Sequence, residues 1–338
     1  MSKPPYIVGV DVAKIVAMAF VVGVHVAGDG FACGAGGVQT FGKGLTMGFF
    51  ATCINVFAIA SGYVGVNARF RVSRLVELWL QVVFTCVVCS VGLVLLTAER
   101  LSAEQWIRNL MPISGAKYWY MTAYFMLAFT MPFLNAGIRV MEKRESGLVI
   151  GAALAIVCGQ AFVGIKGGLG VEAGYSYAWL VILYLVGAYW RLHGQERRGR
   201  PWLWLAPMLP LAVVSGVVPS MLPDAIANRV YWCGYVSPFT VALSVCIFGW
   251  ALSLKIEGER TRKLIKSVAS CTLGVYLFHY TPLLYGHLIL PYVKATSVSG
   301  AADWAVHVSA TVVVVFAVCA LLDAVRQLIF RTVKRYVL

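Results

Sequence analysis

Apolar runs of about 20 residues recur along the whole chain, separated by short loops. No other feature constrains the fold as strongly. In lipid, every backbone N–H and C=O must be satisfied internally, and an α-helix does this segment by segment. The runs lie near 7–28, 45–66, 74–97, 118–138, 146–164, 175–192, 202–221, 235–255, 265–290 and 303–326. A membrane β-barrel would instead alternate apolar and polar residues in much shorter segments. Only 12% of residues are charged and 60% are hydrophobic, against about a quarter charged in soluble domains. The chain therefore reads as an all-α, polytopic membrane helical bundle with about ten transmembrane helices. Residues 1–338 read as one transmembrane domain, because no loop is long enough for a soluble one. Pro132, Pro207, Pro210, Pro238 and Pro282 fall inside the runs and predict kinks or breaks. The opening residues lack the order of a signal peptide, so the first helix is expected to be retained.

A net charge of +14 would suggest nucleic acid as the partner of a soluble protein. Here the cations are distributed by topology. With the N-terminus placed inside, twenty-one of the 28 Lys and Arg residues fall in alternate, inner loops. Basic residues mark cytoplasmic loops, so both termini are expected in the cytoplasm, with the lipid bilayer as partner and no nucleic acid. The setting this implies is a cell membrane with a cytoplasmic face. Seven of the nine cysteines lie in apolar runs, where Cys acts as a small hydrophobe. Cys86 and Cys89 form a CxxC inside a predicted helix, with no second pair, and no metal site is read there. Cys33 and Cys233 fall in outer loops, where a disulfide is open to them.

The first run carries Asp11, Lys14 and His25, with Asp29 one turn later. At about 100° per residue, Lys14 and His25 point within about 20° of each other, and Asp11 lies about 40° from His25 on the other side. Four ionisable groups on one stripe cannot face lipid without cost, so the stripe faces protein or a water-filled cavity. The rise from Lys14 to His25 is about 16 Å, half the hydrocarbon thickness. Lys14 thus sits near the inner surface and His25 deep in the membrane. A neutral imidazole there can take a proton, and Asp29 has the spacing to orient it. The bland alternative is that these groups pair with one another and pin the helices.

The second run ends in Ser61-Gly62-Tyr63, followed at once by Arg69, Arg71 and Arg74. Arg71 and Arg74 are three apart, so on a helix they form a fork suited to phosphate oxygens. Read alone, the cluster is equally a stop-transfer signal. His287 and His307 read as structural and His193 as a loop residue, whereas His279 lies in the aromatic "LFHY" of the ninth run. Trp106, Tyr118, Trp119, Trp232, Tyr235 and Tyr292 lie near outer ends, where they either stack on sugars or form an interfacial belt.

These motifs, in this order, resemble the membrane acyltransferase-3 family, the integral-membrane O-acyltransferases of surface polysaccharides. The resemblance rests on Lys14 and His25 eleven apart, Ser61-Gly62-Tyr63, and Arg71-Val72-Ser73-Arg74. It rests further on the run with Trp119, Tyr120, Tyr124 and Pro132, on "YAWLVILYLVGAYWRLHG", and on Tyr276 to His279. It is collinear over about residues 10–285. Lysine stands at 14 where many members have arginine, and no SGNH-type domain is expected after the last run.

The resemblance implies acyl transfer, most simply of acetyl, from cytoplasmic acyl-CoA (acetyl-CoA) to a hydroxyl of a glycan or lipid-linked sugar, with no metal. Lys14, Arg69, Arg71 and Arg74, with Ser61, would hold the CoA. His25 would be the general base, oriented by Asp29. Tyr63, Trp119 or Tyr120 would supply oxyanion donors, with Trp119, Tyr120 and His279 near the substrate. A covalent acyl-histidine, the choice of acceptor and acyl group, and a homodimer are left open. Two other readings stand beside this one: a transporter, proton-coupled or for an amino acid such as serine, and a non-catalytic subunit of an export complex.

Overall fold

The structure is a computed structural model. It describes residues 6–29, 37–165, 168–194, 200–223, 226, 231–296 and 298–337, with the side chains of 29, 37–40 and 334–337 outside the description. The described residues form helices and no strands. Those that build the bundle are α1 (Val8–Asp29), α2 (Gly37–Phe50), α3 (Cys53–Gly65), α4 (Val72–Leu96), α5 (Ala103–Leu110), α6 (Trp119–Val140), α7 (Lys143–Phe162) and α8 (Tyr177–His193). They continue with α9 (Trp202–Met221), α10 (Pro238–Ser253), α11 (Glu259–Ser270), α12 (Thr272–His279), a π-helical turn (Pro282–Ile289), α13 (Leu290–Ala295) and α14 (Ala301–Val337).

Seven of the described helices are long and apolar enough to cross a membrane, with α2 and α3 counted as one stretch over Phe41–Gly65. This is a multi-pass membrane protein. Helix occupies all ten expected positions, but three fall short of an unbroken span. The run near 175–192 forms the 17-residue α8, preceded by short 3-10 turns at an 81° bend. The run near 235–255 forms the 16-residue α10, which starts at Pro238. The run near 265–290 is broken twice, at Cys271 and at Tyr280–Thr281. Pro282 explains the second break: it has no N–H to continue the ladder, and its ring clashes with the preceding turn. The Thr281 hydroxyl restarts the helix by accepting the Leu284 N–H. Pro207 and Pro210 likewise divide α9 into short α, π and 3-10 pieces.

α1 runs through the middle of the bundle and packs against α3, α10, α11, α12 and α14. Ala13 and Ala17, one turn apart, are fully buried. Small residues at such crossings let helices approach closely, the main source of attraction between helices that are equally apolar outside. The crossing of α3 with α8 uses the same device. A Cβ on Gly62 would collide with the carbonyl oxygen of Tyr184, and one on Gly187 with that of Ile59.

Candidate functional site

The polar stripe of α1 faces inward, and its two halves meet different surroundings. Near the N-terminus of α1, the Tyr6 hydroxyl donates to Asp11 Oδ2 at 2.7 Å, and Lys14 Nζ lies 3.4 Å from Asp11 Oδ1. Arg262 and Lys266 of α11 lie over the Tyr6 ring. Burial, reinforced by Asp11, pushes the Tyr6 phenol pKa up, so this hydroxyl remains a donor at neutral pH.

Lys14 opens onto a cavity of about 850 Å³, within the range of small-molecule and cofactor sites. Arg69, Arg71 and Arg74 line its mouth, and Ser61 lines its wall. All three arginines are exposed. Arg71 caps α4 in an extended conformation, so the chain turns sharply into the helix at the mouth. Met18, Val21, Ile54 and Phe57 give it an apolar wall, and Tyr120, Tyr124, Tyr276, Asn135 and Arg139 are among its other lining residues. A single cavity thus carries both a cationic entrance and an apolar wall.

The loop that presents the arginines is held from below by α6. Arg139 Nη2 donates to Val66 O at 2.6 Å and to Asn67 Oδ1 at 2.8 Å. Asn135 Nδ2 donates to Gly65 O at 3.0 Å, and Asn135 Oδ1 accepts from the Tyr184 hydroxyl at 2.7 Å. These bonds satisfy carbonyls at the C-terminus of α3, and the guanidinium complements the negative end of that helix. Sequence reasoning counted Arg139 only as a loop charge and passed over Asn135. The available signal was the pair itself, two polar residues four apart at the end of an apolar run.

From the cavity wall an aromatic and imidazole series leads to His25. Tyr124 stacks on Tyr120 (centroids 6.2 Å apart), and Tyr120 meets Tyr276 edge-on at 5.9 Å. Tyr276 lies 6.2 Å from His279, and His279 lies 5.3 Å from His25. Val21, which lines the cavity, is one turn before His25 on α1. His25 also lies 4.1 Å from the Tyr280 ring, and the Tyr285 hydroxyl donates to the His25 carbonyl oxygen at 3.3 Å. The break after α12 puts His279 at a helix end, at the depth of His25. Discontinuous helices of this kind commonly flank polar sites within membrane bundles.

The structure brings together Lys14, Ser61, Arg69, Arg71, Arg74 and Tyr120 on one cavity; His25 and His279 do not line it, but His25 is one turn beyond Val21 and His279 lies 6.2 Å from Tyr276, both of which do. Two residues stand apart. Tyr63 is buried on the opposite face of α3: its ring meets Phe248 edge-on, and its hydroxyl accepts from Arg191 at 3.3 Å. Tyr63 therefore does not line the cavity that Ser61 lines, the two lying about 160° apart around the helix axis. Trp119 is not part of the cavity lining and packs with Tyr175 and Tyr235 at 4.8 and 6.3 Å. The Asp29 side chain and Cys33 lie outside the described residues. Cys86 and Cys89 are buried and unbridged.

No curated protein and no solved structure matches the chain. A family model does, over residues 7–324: that of the acyltransferase-3 family, described as an acyltransferase domain. The match takes in both the cationic cavity and the histidine pair beside it, and on that ground the chain belongs to the acyltransferase-3 family.

Proposed function

We propose that this membrane acyltransferase takes an acetyl group from acetyl-CoA entering at the cytoplasmic side. It transfers that group to a hydroxyl of a cell-surface or lipid-linked glycan at the bacterial inner membrane. One observation carries this reading: Lys14, Arg69, Arg71 and Arg74 share a cavity of about 850 Å³ with the apolar Met18, Val21, Ile54 and Phe57, and Val21 is one turn before His25 on α1. CoA is a polyanion at one end and a slim, weakly polar arm at the other. Arg69, Arg71, Arg74 and Lys14 suit its phosphates, with the arginine forks giving the stronger contacts. The arm then spans about 16 Å, the rise along α1 from Lys14 to His25.

In the proposed reaction the acceptor hydroxyl gives its proton to His25 as its oxygen attacks the thioester carbonyl carbon. The C–S bond then breaks, and the thiolate takes the proton from the imidazolium to leave as free CoA. In this reading the hydroxyls of Tyr120 and Tyr276, which line the cavity, serve as the oxyanion donors in place of Tyr63, which does not line it. The test is free-thiol release from acetyl-CoA by the purified full chain in vesicles of bacterial lipid that retain lipid-linked sugars. CoA is expected to protect the protein against thermal unfolding. His25→Ala is expected to abolish thiol release but keep that protection. Movement of a solute across sealed vesicles without CoA consumption would favour a transporter instead.

A further inference from the structure

His279 is almost fully buried, at 1% exposure. Its Nδ1 lies 2.9 Å from the carbonyl oxygen of Val275, one turn back on α12. A carbonyl can only accept, so Nδ1 carries the hydrogen and the proton-free nitrogen is Nε2. That nitrogen is buried and has no hydrogen-bond partner. Buried polar atoms are almost always satisfied, and an exception in a native fold calls for an explanation. Because Nδ1 is turned back onto its own helix, Nε2 points away from it. Of the three rings around His279, that of His25 is nearest, at 5.3 Å, with Tyr280 at 6.0 Å and Tyr276 at 6.2 Å.

We infer that His279 is the positioning partner of His25, offering a fixed, lone-pair-bearing Nε2 to the N–H of the His25 imidazole during transfer. This rests on the reading of His25 as the base. The backbone carbonyl of Val275 plays the part a carboxylate plays elsewhere, locking one tautomer. The lone pair so exposed orients the base and takes up part of its charge once it is protonated. The proton balance is unchanged. The acceptor O–H proton goes to the second nitrogen of His25 and then to the CoA thiolate, while the N–H shared with Nε2 stays within the pair. This contact requires a rotation of the His25 side chain that brings its N–H to Nε2 across the 5.3 Å between the ring centroids. Pro282 contributes indirectly, since the break it imposes ends α12 at His279.

Two substitutions separate this role from packing. In His279→Asn the amide NH2 can replace Nδ1–H on the Val275 carbonyl, but nothing replaces Nε2. In His279→Gln the longer amide can reach the Nε2 position. Both are assayed as full-length protein by thiol release from acetyl-CoA and by thermal protection with CoA. His279→Asn is expected to lower kcat about 100-fold or more, at the low end of general acid–base effects. Its KM for acetyl-CoA and its CoA protection should stay within twofold of the parent. His279→Gln is expected to recover part of the lost kcat. Activity of His279→Asn within threefold of the parent, or a loss confined to KM, overturns the inference. The His25→Ala control separates the two levels. If His25→Ala is inactive and His279→Asn active, only this inference falls. If His25→Ala is active, the assignment of the base falls as well.

Discussion

The two ends of the polar stripe on α1 are built in opposite ways. At the Lys14 end the arginines are long and exposed, and the half-buried Lys14 lies 3.4 Å from Asp11, which also accepts from the Tyr6 hydroxyl. At the His25 end the imidazole sits among the rings of His279, Tyr280 and Tyr285. A large anion is best caught by flexible, solvated charges that adapt to it and are screened while empty. A proton transfer needs a drier place, where a neutral base is stable and water does not compete for the intermediate. One helix serves both needs because about 16 Å of rise separates the membrane surface from its interior.

This contrast predicts different kinetic signatures at the two ends. The largest effect belongs to His25→Ala, expected to lower kcat about 10²- to 10⁴-fold with CoA protection intact. A variant that lost CoA binding instead would erase the distinction between the ends. Next comes the pair Arg71→Ala and Arg74→Ala. A charge-assisted hydrogen bond contributes about 1.5–3 kcal/mol, and the exposure of these side chains points to the lower value. Each substitution should raise KM for acetyl-CoA about tenfold, and both should leave kcat within about twofold at saturation. Steady-state titration of acetyl-CoA reads this directly, and raising the salt should mimic it.

Arg139→Met sharpens the comparison, because Arg139 supports the arginine loop rather than forming the fork. It should raise KM roughly threefold to tenfold by freeing two acceptors at the end of α3, visible as faster proteolysis of the 66–71 loop. Tyr6→Phe should be the mildest. Removing one hydroxyl from Asp11 loses about 0.5–1.5 kcal/mol of a net hydrogen bond, and KM should rise about twofold. A kcat effect from either would mean that the basic end also sets the chemistry.

The Ser61-Gly62-Tyr63 motif shows what can and cannot be read from a one-dimensional pattern. Its position and helical context were legible, because it closes an apolar run before a basic loop. Its three residues have three separate fates. Ser61 lines the cavity, Gly62 admits the backbone of α8, and Tyr63 is buried against Phe248 and Arg191. Which face of α3 meets the cavity depends on where α8 and α10 pack, and no local signal carries that. The same limit applies to His279. Its run was plain, but its tautomer and its unpartnered nitrogen arise only from the break before Pro282 and the approach of α1.

By itself, the order of residues determined that this chain is a helical membrane bundle. It also placed Lys14, His25, Arg71 and Arg74 on an inward stripe and a basic turn, since hydropathy, charge and the 3.6-residue period are local properties. The tertiary structure alone decided that the stripe and the arginines share one cavity, that Arg139 and Asn135 support its mouth, and that His25 meets a second histidine. Those facts depend on helix crossings, which are set by small-residue contacts between segments more than a hundred residues apart.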